Sequence, residues 1–377
     1  MTPMLVVPDY QPVPFPTPLW LLQVLLVLGF FLHAVPMNVI FTGGFISGGL
    51  LLAGGNNPDA LPSRAGRALA NSLPLFLSFA ITQGIVPLLF LQLMYGPLYY
   101  TSSIMMAWPW FSIIFLLIAA YYGLYWFKYK QAKLGNLGPW ILITCNIVFC
   151  LVGFFFVNNM TLMLSPQHWA EHLQGMSSFG TGLNLSDPQV VPRYLFYLVG
   201  SIGITGLILG CYGWRWTKRN EPELGRYAIG IGSGLFAIAG VAELLVGNWW
   251  LGSLSADKAA LLTGSDPILH ALLLAWMALI GLGVVTSVLT FKTKAVPTFI
   301  ASFGCGILAL LVVSVGRHFL RAAYVSPFLK PEWVPVNIQW DLLIAFVVLA
   351  VGLILYLTWL IGVAWRAFNP PITKSPA

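Results

Sequence analysis

Long apolar runs alternate with short polar breaks along the chain, and the lengths of the runs predict its elements. The first run, Leu19 to Ala53, contains no acid, lysine or arginine and exceeds the ~20 apolar residues that cross a bilayer. Eight more follow: Asn71–Tyr95, Ser103–Phe127, Pro139–Leu164, Pro192–Trp214, Tyr227–Trp249, Pro267–Phe291, Val296–Arg317 and Leu342–Trp365. In lipid each run must close its own backbone hydrogen bonds, which predicts helices. The expected fold is therefore an all-α integral membrane protein with nine transmembrane helices. It forms a single membrane domain over residues 1–377. A proline-rich surface arm occupies 1–18, the bundle 19–365 and a short tail 366–377. No internal repeat of fixed period is visible.

Composition agrees with the pattern. Of 377 residues, 58% are hydrophobic and 8% are charged, against about 25% charged in soluble domains. The net charge of +7 is spread between the apolar runs rather than gathered in a patch, so no nucleic-acid partner is implied. The distribution of basic residues gives an orientation. The side holding the loops after spans one, three, five and seven and the C-terminal tail carries 13 of the 18 Lys and Arg residues. By the positive-inside rule this side is cytoplasmic, which puts the N-terminus outside and the C-terminus in the cytoplasm. The four cysteines lie within or at the ends of apolar runs and none belongs to a CxxCH motif, so no covalent c-type haem is expected on this chain. The N-terminal segment lacks the basic stretch of a signal peptide.

Candidate chemistry is sparse and gathers towards the outer face. His33 stands alone among apolar residues in the first span, about 30 Å from Ala53 at ~1.5 Å per residue. An ionisable group inside a span normally faces a protein interior. His33 is a candidate ligand to a haem iron, or a histidine bonded to a neighbouring carbonyl. Asn38 and the glycines Gly44 and Gly48 follow on the same run, and the GxxxG spacing allows close approach of another helix or a flat ligand. His270 opens the seventh span and His318 follows the eighth; both are candidate axial ligands, with a headgroup-facing role as the alternative. His168 and His172, spaced i, i+4, make an incomplete metal site without further ligands. Met277 offers either a sixth haem ligand or a packing side chain.

Glu243 is the carboxylate that lies well inside a span. It is a candidate proton relay or acceptor for a quinol hydroxyl, or else the partner of Arg317 or Arg321 in an ion pair. Arg317 and Arg321 share one helical face, where they can neutralise haem propionates or anchor the helix at the headgroups. The aromatic turn between the second and third spans suits either a cover for a planar cofactor or an interfacial belt. Asn158 and Asn159 are placed to cap the end of the fourth span.

The nine spans, FLHAVPMNVIFTGG in the first helix, VNNM, YLVGSIGITGLILG and the VGR ending span eight together resemble subunit I of cytochrome bd quinol oxidase. PLLFLQLMYGPLYYTSS and RHFLRAAYVSPF are similar to patterns in bd-like membrane proteins associated with c-type cytochromes in bacterial respiratory chains. The resemblance implies the bacterial inner membrane, a first-helix haem ligand at His33, and partners that include lipid, quinone, and a c-type cytochrome or other redox subunits on the outer face. It also has gaps. The family's haem ligand at the start of span five is absent, Phe196 standing there, and the third span carries no acid. The loop that would bind quinol shrinks to about residues 251–266. Oxygen reduction is therefore not expected.

Three readings follow. In the first, the chain is a quinol-linked oxidoreductase subunit passing electrons between quinol or haem b and an outer c-type cytochrome, with Glu243 as proton acceptor. In the second it is a haem-free membrane anchor for such partners. The third, a permease, is disfavoured by the scarcity of charge at the midplane.

Overall fold

The computed structural model describes residues 13–176 and 178–368. Eleven α-helices occur among them: α1 Leu19–Gly54, α2 Leu61–Met105, α3 Ala107–Leu134, α4 Leu137–Met163, α5 Trp169–Gly175, α6 Val190–Thr217, α7 Pro222–Gly252, α8 Ala256–Ala260, α9 Pro267–Thr293, α10 Val296–Val325 and α11 Trp340–Phe368. All but α5 and α8 are long and apolar enough to span a membrane, so nine spans stand among the described residues, as the hydrophobic pattern predicts.

Contacts divide the chain into two compact units. The smaller comprises Gln11–Gln23 and Pro331–Ala377. Its core is backbone pairing: Phe15 N–H donates to the Pro335 carbonyl at 2.8 Å, and Asn337 N–H donates back to Phe15 at 2.9 Å. Phe15 and Pro16 are thus held against the approach to α11. The larger unit includes Val24–Lys330 and contains α2 to α10 and α1 from Val24 onward.

Within the larger unit, α6 and α7 meet backbone to backbone. A Cβ on Gly206 would lie 2.6 Å from the Gly232 carbonyl oxygen, so only glycine allows this spacing. Polar side chains tie α1 to its neighbours. Asn38 accepts from Ser201 of α6 at 2.6 Å, Thr205 donates to the Asn38 carbonyl at 3.1 Å, and Thr42 donates to the Ser201 carbonyl at 3.0 Å. On the α4 side, Asn146 Oδ1 accepts from the Gly44 and Phe45 amides at 2.7 and 3.2 Å, and its Nδ2 donates to the Phe41 carbonyl at 2.5 Å. Asn146 thereby ties α4 directly to the backbone of α1. Gly44 and Gly48 face α4, so the partner of the GxxxG face is a helix.

Several boundaries differ from expectation. The second helix does not stop at Tyr95 but continues to Met105, with non-helical backbone angles at Tyr95. Pro97 removes one helical donor, which bends the helix there without ending it. The aromatic turn is accordingly helical. Asn158 and Asn159 do not cap α4. Asn158 donates to the Phe154 carbonyl one turn back at 2.9 Å, while Asn159 bridges Ser102 and Ser103 of α2, at 3.2 Å each. The long segment after α4 contains the short helix α5, anchored by Trp169, whose indole N–H donates to the Leu162 carbonyl at 2.8 Å.

Candidate functional site

A cavity of about 460 Å³ opens inside the larger unit, walled by α1, α2, α3, α4, α6, α7, α9 and α10. Its volume is that of a site for a cofactor-sized ligand. The walls are overwhelmingly aliphatic and aromatic, and the strongly polar groups among them are His33, Arg193, Tyr197, Arg317 and Arg321.

His33 reaches this cavity from the middle of α1. Its Nδ1 lies 2.8 Å from the Ala80 carbonyl oxygen of α2. A carbonyl only accepts, so Nδ1 carries the proton and Nε2 is left with a lone pair. A carbonyl fixing the far nitrogen is the usual support for a histidine that binds a metal. The two sequence alternatives for His33, bonded to a carbonyl or available to a ligand, are therefore compatible. Gly84 makes room for the ring on α2, since a Cβ there would sit 2.9 Å from His33 Cε1.

The three arginines converge from two helices, Arg193 from α6 and Arg317 and Arg321 from α10. Arg317 lies over the Phe30 ring at 4.1 Å, Arg321 over Tyr95 at 5.8 Å, and Arg193 over Trp250 at 5.8 Å. Arg193 also donates to Gln189 Oε1 at 3.3 Å. The ion pairs among the described residues are Arg64–Glu221, His168–Glu171 and Lys258–Asp257, so no carboxylate neutralises this trio. Arg321 is 6% exposed and its Nη1 is buried without a hydrogen-bond partner. Uncompensated charge of this kind is costly in a low-dielectric interior, and an anionic ligand would relieve it.

These features fit a haem. One histidine offers an iron donor, the aliphatic walls suit a macrocycle, and the guanidiniums suit two propionates. Met37, Met160 and Met163 add thioethers to the lining. Among the described residues there is no cluster of three or more His, Cys, Asp or Glu side chains that would instead hold a free metal ion.

A second cavity of about 40 Å³ adjoins the first, sharing Phe30, Met37, Phe196, Tyr197, Trp276 and Val313 as walls. Glu243 and Asn38 line this space and not the larger one. The Glu243 carboxylate faces Gly200 on α6, where a Cβ would come within 2.9 Å of Oε1. Among the described residues it makes no ion pair, so the expected alternative of pairing with Arg317 or Arg321 is not realised.

The other candidates lie outside both cavities. His270 Nδ1 bonds the Leu262 carbonyl at 2.9 Å, which ties the start of α9 to the preceding turn. His318 is buried on α10, between residues that do line the larger cavity, but is not among its walls. Met277 is 47% exposed, a lipid-facing side chain rather than a cavity ligand. His168 is solvent-exposed and 3.9 Å from Glu171. His172 packs against Gly182, and burial lowers its pKa from the ordinary imidazole value. Phe196 packs against Trp276 and Trp250, with ring centroids 5.5 and 6.4 Å apart, so aromatic packing occupies the position where the resemblance expects a histidine. Sequence reasoning did not single out Arg193; its signal was a lone basic residue at the start of an apolar run.

The described residues thus form a multi-pass helical membrane protein with an internal, mostly apolar cavity lined by one histidine and three arginines. No family model matches the chain, and no curated protein matches it. Among solved structures, bd oxidase from Geobacillus thermodenitrificans matches with a TM-score of 0.72 over 95% of this chain and 100% of that one, at 13% identity. The chain has the bd-oxidase fold.

Proposed function

We propose that the chain is a haem b-binding, electron-transferring subunit of a respiratory complex in the bacterial inner membrane. The observation that carries this reading is the convergence on one apolar cavity of His33 and three arginines with no ion-pair partner among the described residues. When bound, a haem supplies one-electron redox chemistry. The chain's own residues do the rest. His33 presents Nε2 while Ala80 holds its ring, the arginines bind the propionates, and the aliphatic walls exclude water. With the N-terminus outside, this site lies towards the outer face, within reach of a c-type cytochrome or another redox subunit there. Quinol is the natural reductant class in the membrane phase. The third span carries no carboxylate, so the proposal stops at electron transfer and does not extend to oxygen reduction.

One observation favours fewer cofactors than the fold can house: Phe196 and its aromatic neighbours fill the place of a second histidine ligand. The reading is therefore one haem per chain. A pyridine haemochrome assay on the purified subunit tests it. One b-type haem per chain supports it, and none leaves a membrane anchor for redox partners.

A further inference from the structure

We infer that the 40 Å³ cavity is a redox-linked proton site. Glu243, with water in the space beside it, takes up one proton when one electron enters the larger cavity and releases it when the electron leaves. The inference rests on the haem reading above and adds the group that balances its charge.

Three observations carry it. First, Glu243 is a carboxylate inside a membrane-spanning helix with no ion-pair partner among the described residues, in contrast to the surface acids Glu221 and Asp257, which are paired. A carboxylate so placed has a functional role by default. Second, it faces a space that can hold a water molecule, the polar lining of which also includes Asn38 and Tyr197. Third, the two cavities share a wall, so charge added in one is felt in the other through a low-dielectric partition.

The groups facing Glu243 leave little else to titrate. From α1 come Phe30, Ala34, Met37 and Asn38, none of them ionisable, and α9 and α10 present only apolar residues and glycine. Tyr197 of α6 is the one other titratable side chain in the lining, and it belongs to both cavities. It is placed to link them as a positioning residue. The balance is one electron from a quinol or cytochrome donor and one proton from bulk water, both held on reduction and both lost on oxidation.

Spectroelectrochemical titration of the purified holoprotein at pH 6, 7 and 8 tests this. The haem midpoint should fall as pH rises, approaching about 59 mV for each tenfold change in proton activity in a one-electron couple. Glu243→Gln should flatten that slope while keeping the haem content, and Glu243→Asp should restore part of it. The redox-difference infrared spectrum should contain a protonated-carboxyl band that shifts in D₂O and is missing in Glu243→Gln. A haem-containing protein whose slope is unchanged in Glu243→Gln overturns the proton site alone. A protein without haem overturns the haem reading, and this inference with it.

Discussion

The imidazole of His33 and the backbone of Gly84 occupy adjoining space, with a Cβ on Gly84 falling 2.9 Å from Cε1 and 3.0 Å from Nδ1 of the ring. The same stretch of α2 supplies the Ala80 carbonyl that holds Nδ1. One helix therefore both makes room for the histidine and orients it.

Gly84→Val should displace the ring and lower haem content several-fold without unfolding the bundle. The check is the ratio of Soret to protein absorbance, alongside circular dichroism. Full haem occupancy in that variant would show that His33 does not need its present position.

Removing charge from the cavity should have opposite effects on the two forms of the protein. Arg321→Met removes a buried guanidinium whose Nη1 has no hydrogen-bond partner, and its desolvation cost goes with it. The cofactor-free protein should therefore be no less heat-stable in detergent, while haem retention drops. A variant that loses stability in the cofactor-free form and keeps its haem would contradict the anion-site assignment.

Asn146→Ala removes three hydrogen bonds that tie α4 to the backbone of α1 in the membrane interior. A typical intramolecular hydrogen bond contributes about 0.5–1.5 kcal/mol net, so the loss should total about 1.5–4 kcal/mol. Unfolding in mixed micelles measures it, and a change below about 0.5 kcal/mol would mean that these bonds do not hold α4 against α1.

How legible all this was depends on the physics of each feature. The nine spans could be read because lipid demands ~20 apolar residues per crossing, and His33 because an imidazole inside such a run is conspicuous. Arg193 was not legible, since a basic residue at a span end is ordinary until the fold brings it beside Arg317 and Arg321. The continuation of α2 past Tyr95 was hidden by Pro97, whose sequence signature is the same for a kink and for a break. Glu243 and the arginines line different cavities, a separation that depth along the sequence does not encode.

His172 makes the segment after α4 sensitive to acid. Burial lowers its pKa in the folded chain below the ordinary value of about 6.5. The folded state then binds fewer protons than the unfolded one, so stability is full above that value. It declines as pH falls from there towards the folded pKa. Protection factors in α5, corrected for the intrinsic pH dependence of amide exchange, should fall between pH 7 and pH 5, and His172→Gln should abolish that fall. An equal response in the variant would place the sensitivity elsewhere.

The central claim, that His33 is the haem ligand, is tested most directly by reduced-minus-oxidised difference spectra of three variants: His33→Ala, His270→Ala and His318→Ala. The b-type band should vanish in His33→Ala and persist in the other two. A band that survives His33→Ala but disappears in either of the others would move the ligand out of this cavity and contradict the account.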